Sequence, residues 1–373
     1  MQAKKLELNR DVGRALKSWK LPTSAFTQAR PLTLRSLLAH TAGLVITAAP
    51  GYEPNATLPS LEQILNGAAP ARAPAVRFEE GPGDAVRISA ADYAIVQQLV
   101  TDAAKHPFAD FAADTVFGPL GMTRSTFRQP PSAALLSAVA TGHDATGRPV
   151  AGKWRLYPDL AASGLWSTPA DLARLVLEIQ RAYGGKRGKV LKPGSARQML
   201  SPEHVGWPGL GVTLAGRDAS LRFRAAGATR GFETELVGFV KRGQGAVIMT
   251  NTNGGSALSV EILNAIASVY GWPDYVPAEK VIARADPRVY DRFVGTYRLD
   301  SRVLSVVKRA NRLFIGARGA ETTELLPESV SDFFTTDSDA SYSFVFDQNG
   351  KAQAFTVRQR DAYERWDRRA LAR

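Results

Sequence analysis

A serine three residues ahead of a lysine can act as a nucleophile whose proton the amine helps to remove. This sequence has one such pair, Ser305 and Lys308 in VLSVVKR, and its alternating apolar neighbours predict a β-strand rather than a reactive helix. With no cysteine there is no thiolate, no disulfide and no Cys-ligated metal. The four histidines form no paired-His pattern and no HExxH, and no carboxylate cluster reads as a metal site, so neither metal nor cofactor is expected. His40 is expected to meet the carbonyls at a helix end, and His106 and His143 to be structural or solvated. His204 lies in a Pro/Gly-rich loop without a partner at ligand spacing. There is no G-x-S-x-G elbow, and NTNGGS (251–256) lacks the Lys-Ser/Thr of a phosphate loop. Ser163 and Ser167 flank GLW with no evident base, while Tyr157 and Trp166 are read as core residues or as the lining of a cleft.

The elements that must position these residues are legible from caps and periodicity. TLRSLLAHTAGL (33–44) reads as a helix capped by Thr33 and stopped at Gly43, and SLEQILNG (60–67) opens with a Ser60–Gln63 capping box. In ISAADYAIVQQLV, Ser89 is an N-cap, Asp92 can reach back to the cap backbone, and the helix is expected to run to about His106. STPADLARLVLEIQRAYGG (167–185) has Thr168 as cap, Pro169 at the first helical position and Gly184–Gly185 as the stop. From about 209 the period changes to antiparallel sheet, with Arg242–Gly243 in a hairpin turn, before SALSVEILNAIASVYGW returns to helix. Short strands at close spacing then predict a small barrel or sandwich. The expected division is a first domain over 1–278, a linker over 279–286 and an all-β domain over 287–373.

The chain has 373 residues, 45% hydrophobic and 22% charged, which is globular composition with length for more than one core. The net charge of +12 is spread along the chain with acids among the bases, and no nucleic-acid recognition motif accompanies it. No apolar run approaches the roughly 18–20 residues that span a bilayer. The start, MQAKKLELNRDVG, has no apolar core of a signal peptide, so as written the chain reads as cytoplasmic and its compartment is open.

Several stretches in order and at fixed spacing, LTLRSLLAHTAGL, PGDAVRISAADYAIVQQLV, FGPLGMTRSTF, GHDATGRPV, AASGLWSTPADLARLVL and RGFETELVGF with GAVIMTN, resemble the serine β-lactamase and penicillin-binding-protein family, in particular its class C-type esterases and D-peptidases. The resemblance covers most of residues 5–272, and the last block is similar to the lipocalin-like domain that some members append. It implies an α/β (α+β) fold of the β-lactamase/transpeptidase type followed by a small all-β domain. Intact members use a Ser-x-x-Lys nucleophile, a Tyr-x-Asn motif and a Lys/His-x-Gly strand.

Aligned on that pattern, the nucleophile motif would precede Lys4, so the chain is expected to lack the N-terminal strands and nucleophile helix of its relatives. Ile88 and Ala90 stand where the tyrosine and asparagine would be, and Ala225 where the strand's cation or histidine would be, with only Gly227 retained. None of the three can move a proton or donate a side-chain hydrogen bond. Removing a nucleophile alone costs roughly 10⁶ in kcat in a comparable serine enzyme.

The resemblance therefore implies a degenerate member, a pseudoenzyme or truncated product. Tyr157, Trp166, Thr229 and Arg230 would line what remains of the cleft. An active hydrolase with an upstream nucleophile, and a non-catalytic module for a small acyl or peptide ligand, are the competing readings. Loss of the helix would expose apolar surface and favour self-association or a covering partner. Relatives are mostly exported.

Overall fold

The computed structural model describes residues 6–46, 51–202, 208–272, 275, 279–299, 302–317, 322–336, 338, 340–359 and 362–368. The chain forms two compact units, residues 1–260 and 261–373.

Two apolar cores build the first unit. One gathers Val12, Trp19, Leu37, Leu44, Leu65, Ile95 and Leu99 from short helices and loops. Helix α1 (Leu34–Leu38) starts with a capping box between Thr33 and Ser36. It ends at Leu38, five residues before the expected stop at Gly43, because the chain turns at His40 (φ 55) and Gly43 (φ 70). Leu44–Val45 (β1) then pair with Arg77–Phe78 (β2), an arrangement no helix could supply. A Cβ on Gly43 would lie 2.2 Å from the Glu80 carbonyl, so the close backbone approach requires glycine there. Helix α2 (Leu61–Asn66) has the Ser60–Gln63 capping box that its sequence predicts.

Helix α3 (Ala90–Ala104) is capped by Ser89, whose hydroxyl accepts the Ala91 N–H at 3.2 Å. Asp92 does not close a box on that cap. Its carboxylate turns into the protein, is 1% exposed, and meets His40 Nδ1 at 2.8 Å, while Oδ1 has no hydrogen-bond partner among the described residues. His40 thus engages Asp92 and the Tyr93 ring (centroids 5.2 Å apart) instead of the expected helix-end carbonyls. The pair straps the turn after α1 onto the first turn of α3.

The second core lies between helix α4 (Pro169–Tyr183) and an antiparallel sheet, and includes Leu172, Val176, Ile179, Phe223 and Leu236. The Thr168 hydroxyl accepts the Asp171 N–H at 3.2 Å, as the cap predicts. The sheet has the order β3 (Thr213–Ala215), β4 (Arg222–Thr229), β5 (Phe232–Phe239), β6 (Gly245–Thr250). Arg242 and Gly243 sit in the turn between β5 and β6, with Gly243 at φ 66. Helix α5 (Ser256–Tyr270) follows, and the boundary between the two units falls within it.

The second unit is a closed barrel of eight antiparallel strands, β7 (Gly295–Leu299), β8 (Arg302–Arg309), β9 (Arg312–Ala317), β10 (Thr323–Pro327), β11 (Asp332–Phe334), β12 (Ser341–Phe346), β13 (Ala352–Gln359) and β14 (Ala362–Arg368). Buried rings fill it. Phe293 lies 4.9 Å from Phe344, and Tyr297 lies 4.8 Å from Phe355. Ser305 and Lys308 lie on β8, where three-residue spacing sends their side chains to opposite faces. Lys308 Nζ pairs with Asp291 at 2.8 Å. Among the described residues no helix is long and apolar enough to cross a membrane.

Burial pushes the Asp92 carboxyl up to about 6, against the opposing pull of His40. The folded protein therefore ionises this group later than the unfolded chain does, and its stability contribution is lost as pH rises from about 4 through 6. Up to about 3 kcal/mol is at stake. Urea midpoints of Asp92→Asn, with no carboxyl to ionise, should lack this decline; parallel profiles for the two proteins would refute the assignment.

Candidate active-site cleft

Three backbone supports assemble one concave site in the first unit. The first is Asp171, at the third position of α4 and 2% exposed. Its Oδ2 accepts the Arg124 N–H and the Ser125 hydroxyl, each at 2.9 Å, and its Oδ1 meets Arg174 at 2.6 Å. Ser125 is in turn 2.8 Å from the Ser167 hydroxyl. Thr126 and Trp166 exchange backbone hydrogen bonds at 3.0 and 2.9 Å, so the two chain segments run together along one wall.

The second support is the exchange between Tyr52 and Leu156, whose N–H groups donate to each other's carbonyls at 2.9 and 2.8 Å. It lays Gly51 against the next segment so closely that a Cβ would sit 2.6 Å from Arg155 and 2.7 Å from the Tyr157 ring. The third is Asn253. Its Oδ1 accepts the Gly231 N–H at 2.9 Å and its Nδ2 donates to the Thr229 carbonyl at 3.0 Å, clamping the two-residue turn between β4 and β5. The Arg230 N–H within that turn donates to the Tyr157 hydroxyl at 3.0 Å.

Between these walls is a cavity of about 450 Å³. Tyr157, Trp166, Thr229 and Arg230, the residues expected to border a cleft, all line it, together with Arg124 and Arg155. Leu135, Val139, Phe232 and Met249 supply apolar wall. Burial pushes the Tyr157 phenol above its usual range, so it holds its proton. Trp154 and Trp166 form an edge-to-face pair, 6.3 Å between centroids, and neither indole N–H finds an acceptor among the described residues.

The motif positions lie elsewhere. Ile88 is 72% exposed, Ala90 is the first residue of α3, and neither lines the cavity. Ala225 and Gly227 sit on β4 opposite Leu236 and Thr234, both exposed and both outside the cavity lining. Arg224, next to Ala225, is ion-paired with Glu235. The Ser163 hydroxyl donates to Asp159 at 2.9 Å, and burial raises the carboxyl of Asp159.

His106 meets Asp114 at 3.3 Å, and His143 Nδ1 lies 3.0 Å from the Asn251 carbonyl; His204 lies outside the described residues. Among the described residues no group of His, Asp and Glu could hold a metal ion. Arg124, Arg155, Asp171 and Asn253 carry no sequence signature of a shared site, because each acts across a long loop. Only the capping position of Asp171 marks it in advance.

A family model described as Beta-lactamase matches residues 1–270. Penicillin-binding protein 4* of Bacillus subtilis (strain 168) is 26% identical over 143 residues, 34% of this chain, and the match spans about a third (32%) of that relative's length. Among solved structures, SurE is similar with a TM-score of 0.59 at 19% identity, covering 99% of this chain and 83% of that one. The octameric penicillin-binding protein homologue from Pyrococcus abyssi gives 0.58 at 17% identity, with 98% and 82% covered. The D-amino acid amidase from Ochrobactrum anthropi SV3 complexed with L-phenylalanine amide gives 0.52 at 18%, with 72% and 79% covered. At these identities the structural likeness is one of fold.

Asn253→Ala removes both clamp hydrogen bonds and should cost about 1–3 kcal/mol in denaturant unfolding. Asn253→Asp keeps the acceptor for Gly231 but sets a carboxylate oxygen against the Thr229 carbonyl and beside Glu233, so it should cost no less. No loss in Asn253→Ala would show that the clamp does not hold the turn.

Proposed function

Because the chain belongs to the Beta-lactamase family, we propose that it is a member in which residues 1–373 no longer carry out acyl-serine hydrolysis and which instead binds a small ligand in the cleft bordered by Tyr157, Trp166, Thr229 and Arg230. One observation carries this reading. The positions that would supply phenol, amide and strand cation hold Ile88, Ala90 and Ala225, and no side chain there can transfer a proton or donate to an oxyanion. The Ser-x-x-Lys pair that the sequence does contain is on a barrel strand with its two side chains on opposite faces and the lysine in an ion pair.

Two hydroxyls near the cleft could be asked to replace the nucleophile, and neither is activated. Ser167 shares a hydrogen bond with the Ser125 hydroxyl, which is itself committed to Asp171. Ser163 donates to Asp159, a carboxyl that burial biases toward its neutral form and so away from acting as a base. Nucleophilic catalysis needs a base within reach that can take the proton, and this arrangement lacks one among the described residues.

The purified chain should turn over neither chromogenic esters nor chromogenic cephalosporins above the rates of Ser163→Ala and Ser167→Ala variants. Turnover that either substitution abolishes would overturn the proposal and identify the nucleophile. Turnover that survives both would overturn it as well.

A further inference from the structure

The polar side chains that line the cleft are positive or neutral. Arg124, Arg155 and Arg230 line it, and no Asp or Glu does among the described residues. Arg155 is the most committed of the three, its side chain only 10% exposed. The carboxylate nearest to it, Glu53, lies 3.7 Å away and is already bound to Arg72 at 2.6 Å. One carboxylate thus serves two guanidiniums, and the remaining Arg155 contacts are to neutral carbonyls of Ala151 and Trp154. Arg124 and Arg230 have their backbones fixed, by Asp171 and by the Tyr157 hydroxyl, while no ion pair engages either side chain among the described residues. The Tyr157 oxygen accepts from Arg230, which leaves its own O–H as a donor.

Burying the Arg155 guanidinium beside a carboxylate that it shares with Arg72 is costly unless an anion completes the site, whereas Arg124 and Arg230 stand exposed at the cleft and bring their charge to it without that cost. Guanidinium groups suit carboxylate and phosphate oxygens through paired N–H donors. The apolar wall of Leu135, Val139, Phe232 and Met249 adds a surface for a non-polar body, and the volume falls in the range of small-molecule sites. We propose that this cleft is a receptor for an amphipathic organic anion, its carboxylate or phosphate held by Arg124, Arg155, Arg230 and the Tyr157 hydroxyl, and its apolar body against Trp166 and the hydrophobic wall. This assignment rests on the binding role proposed above and adds the chemical class of ligand.

The test uses the full chain and three probes of similar shape: 4-phenylbutyrate, its neutral amide, and 3-phenylpropyl phosphate, titrated by calorimetry and by tryptophan fluorescence. At least one anion should bind about tenfold more tightly than the amide, and added salt should weaken the anion alone. Which of the two anions binds better distinguishes a carboxylate from a phosphate ligand.

Arg124→Gln and Arg230→Gln, both at exposed positions, should each erase most of that preference with melting unchanged. Arg230→Lys should retain part of it. Equal affinity for the amide and both anions, loss of all three together in the variants, or saturation by none of the probes would overturn the anion assignment. The ester assay on the same preparation reads the other conclusion separately. Turnover there sinks the non-hydrolytic reading and leaves anion selectivity standing, whereas equal binding of acid and amide does the reverse.

Discussion

A single buried carboxylate, Asp171, sets the geometry on which the cleft depends. It sits in the first turn of α4, where the helix N-terminus favours negative charge, and still has oxygens left for a neighbouring loop. By accepting the Arg124 N–H and the Ser125 hydroxyl it fixes that loop to the helix that also packs on the sheet. The helix cap, the second core and one wall of the cleft are thereby one mechanical unit. Glu178, two turns further along the same helix, repeats the device on another loop. Burial acts to raise its carboxyl, and the N–H groups of Lys189, Val190 and Leu191 more than offset this and hold it below its usual range.

The chain keeps the scaffold of its family, and the proposed loss of hydrolysis rests on a few positions within it. The segments that carry the resemblance fold into the helices and strands that the family model spans. Ile88, Ala90 and Ala225, the positions that the sequence resemblance aligns with the family's motifs, are apolar, and Ile88 and Ala225 are solvent-facing. Polar functionality collects around Arg124, Arg155, Tyr157 and Arg230, which three separate chain segments bring together. Such a site is specified by hydrogen-bond donors and by shape.

The barrel follows a different logic. Its strands alternate inward and outward residues, and the inward set is aromatic enough to fill the interior with ring-to-ring contacts. Tyr297 shows how such a core accommodates a polar atom: its hydroxyl donates to the Phe293 carbonyl at 2.7 Å, and burial raises its phenol to about 12.

Local rules made much of this molecule legible from its sequence. Thr168 with Pro169, the Ser60–Gln63 box, the Ser89 cap and the period-two runs of the barrel each settle their own element, since caps and alternation act over a few residues. The apolar character of Ile88, Ala90 and Ala225 was likewise plain without coordinates. What the tertiary structure alone decided are the long-range pairings. The helix begun at Thr33 yields to a β1–β2 ladder because Gly43 meets the backbone of Glu80. Asp92 abandons its cap for His40 because the helix packs its first turn against the turn that holds that histidine. Arg124, Arg155 and Arg230 become one site only when loops far apart in the chain converge, and no local pattern encodes where a loop will be pinned.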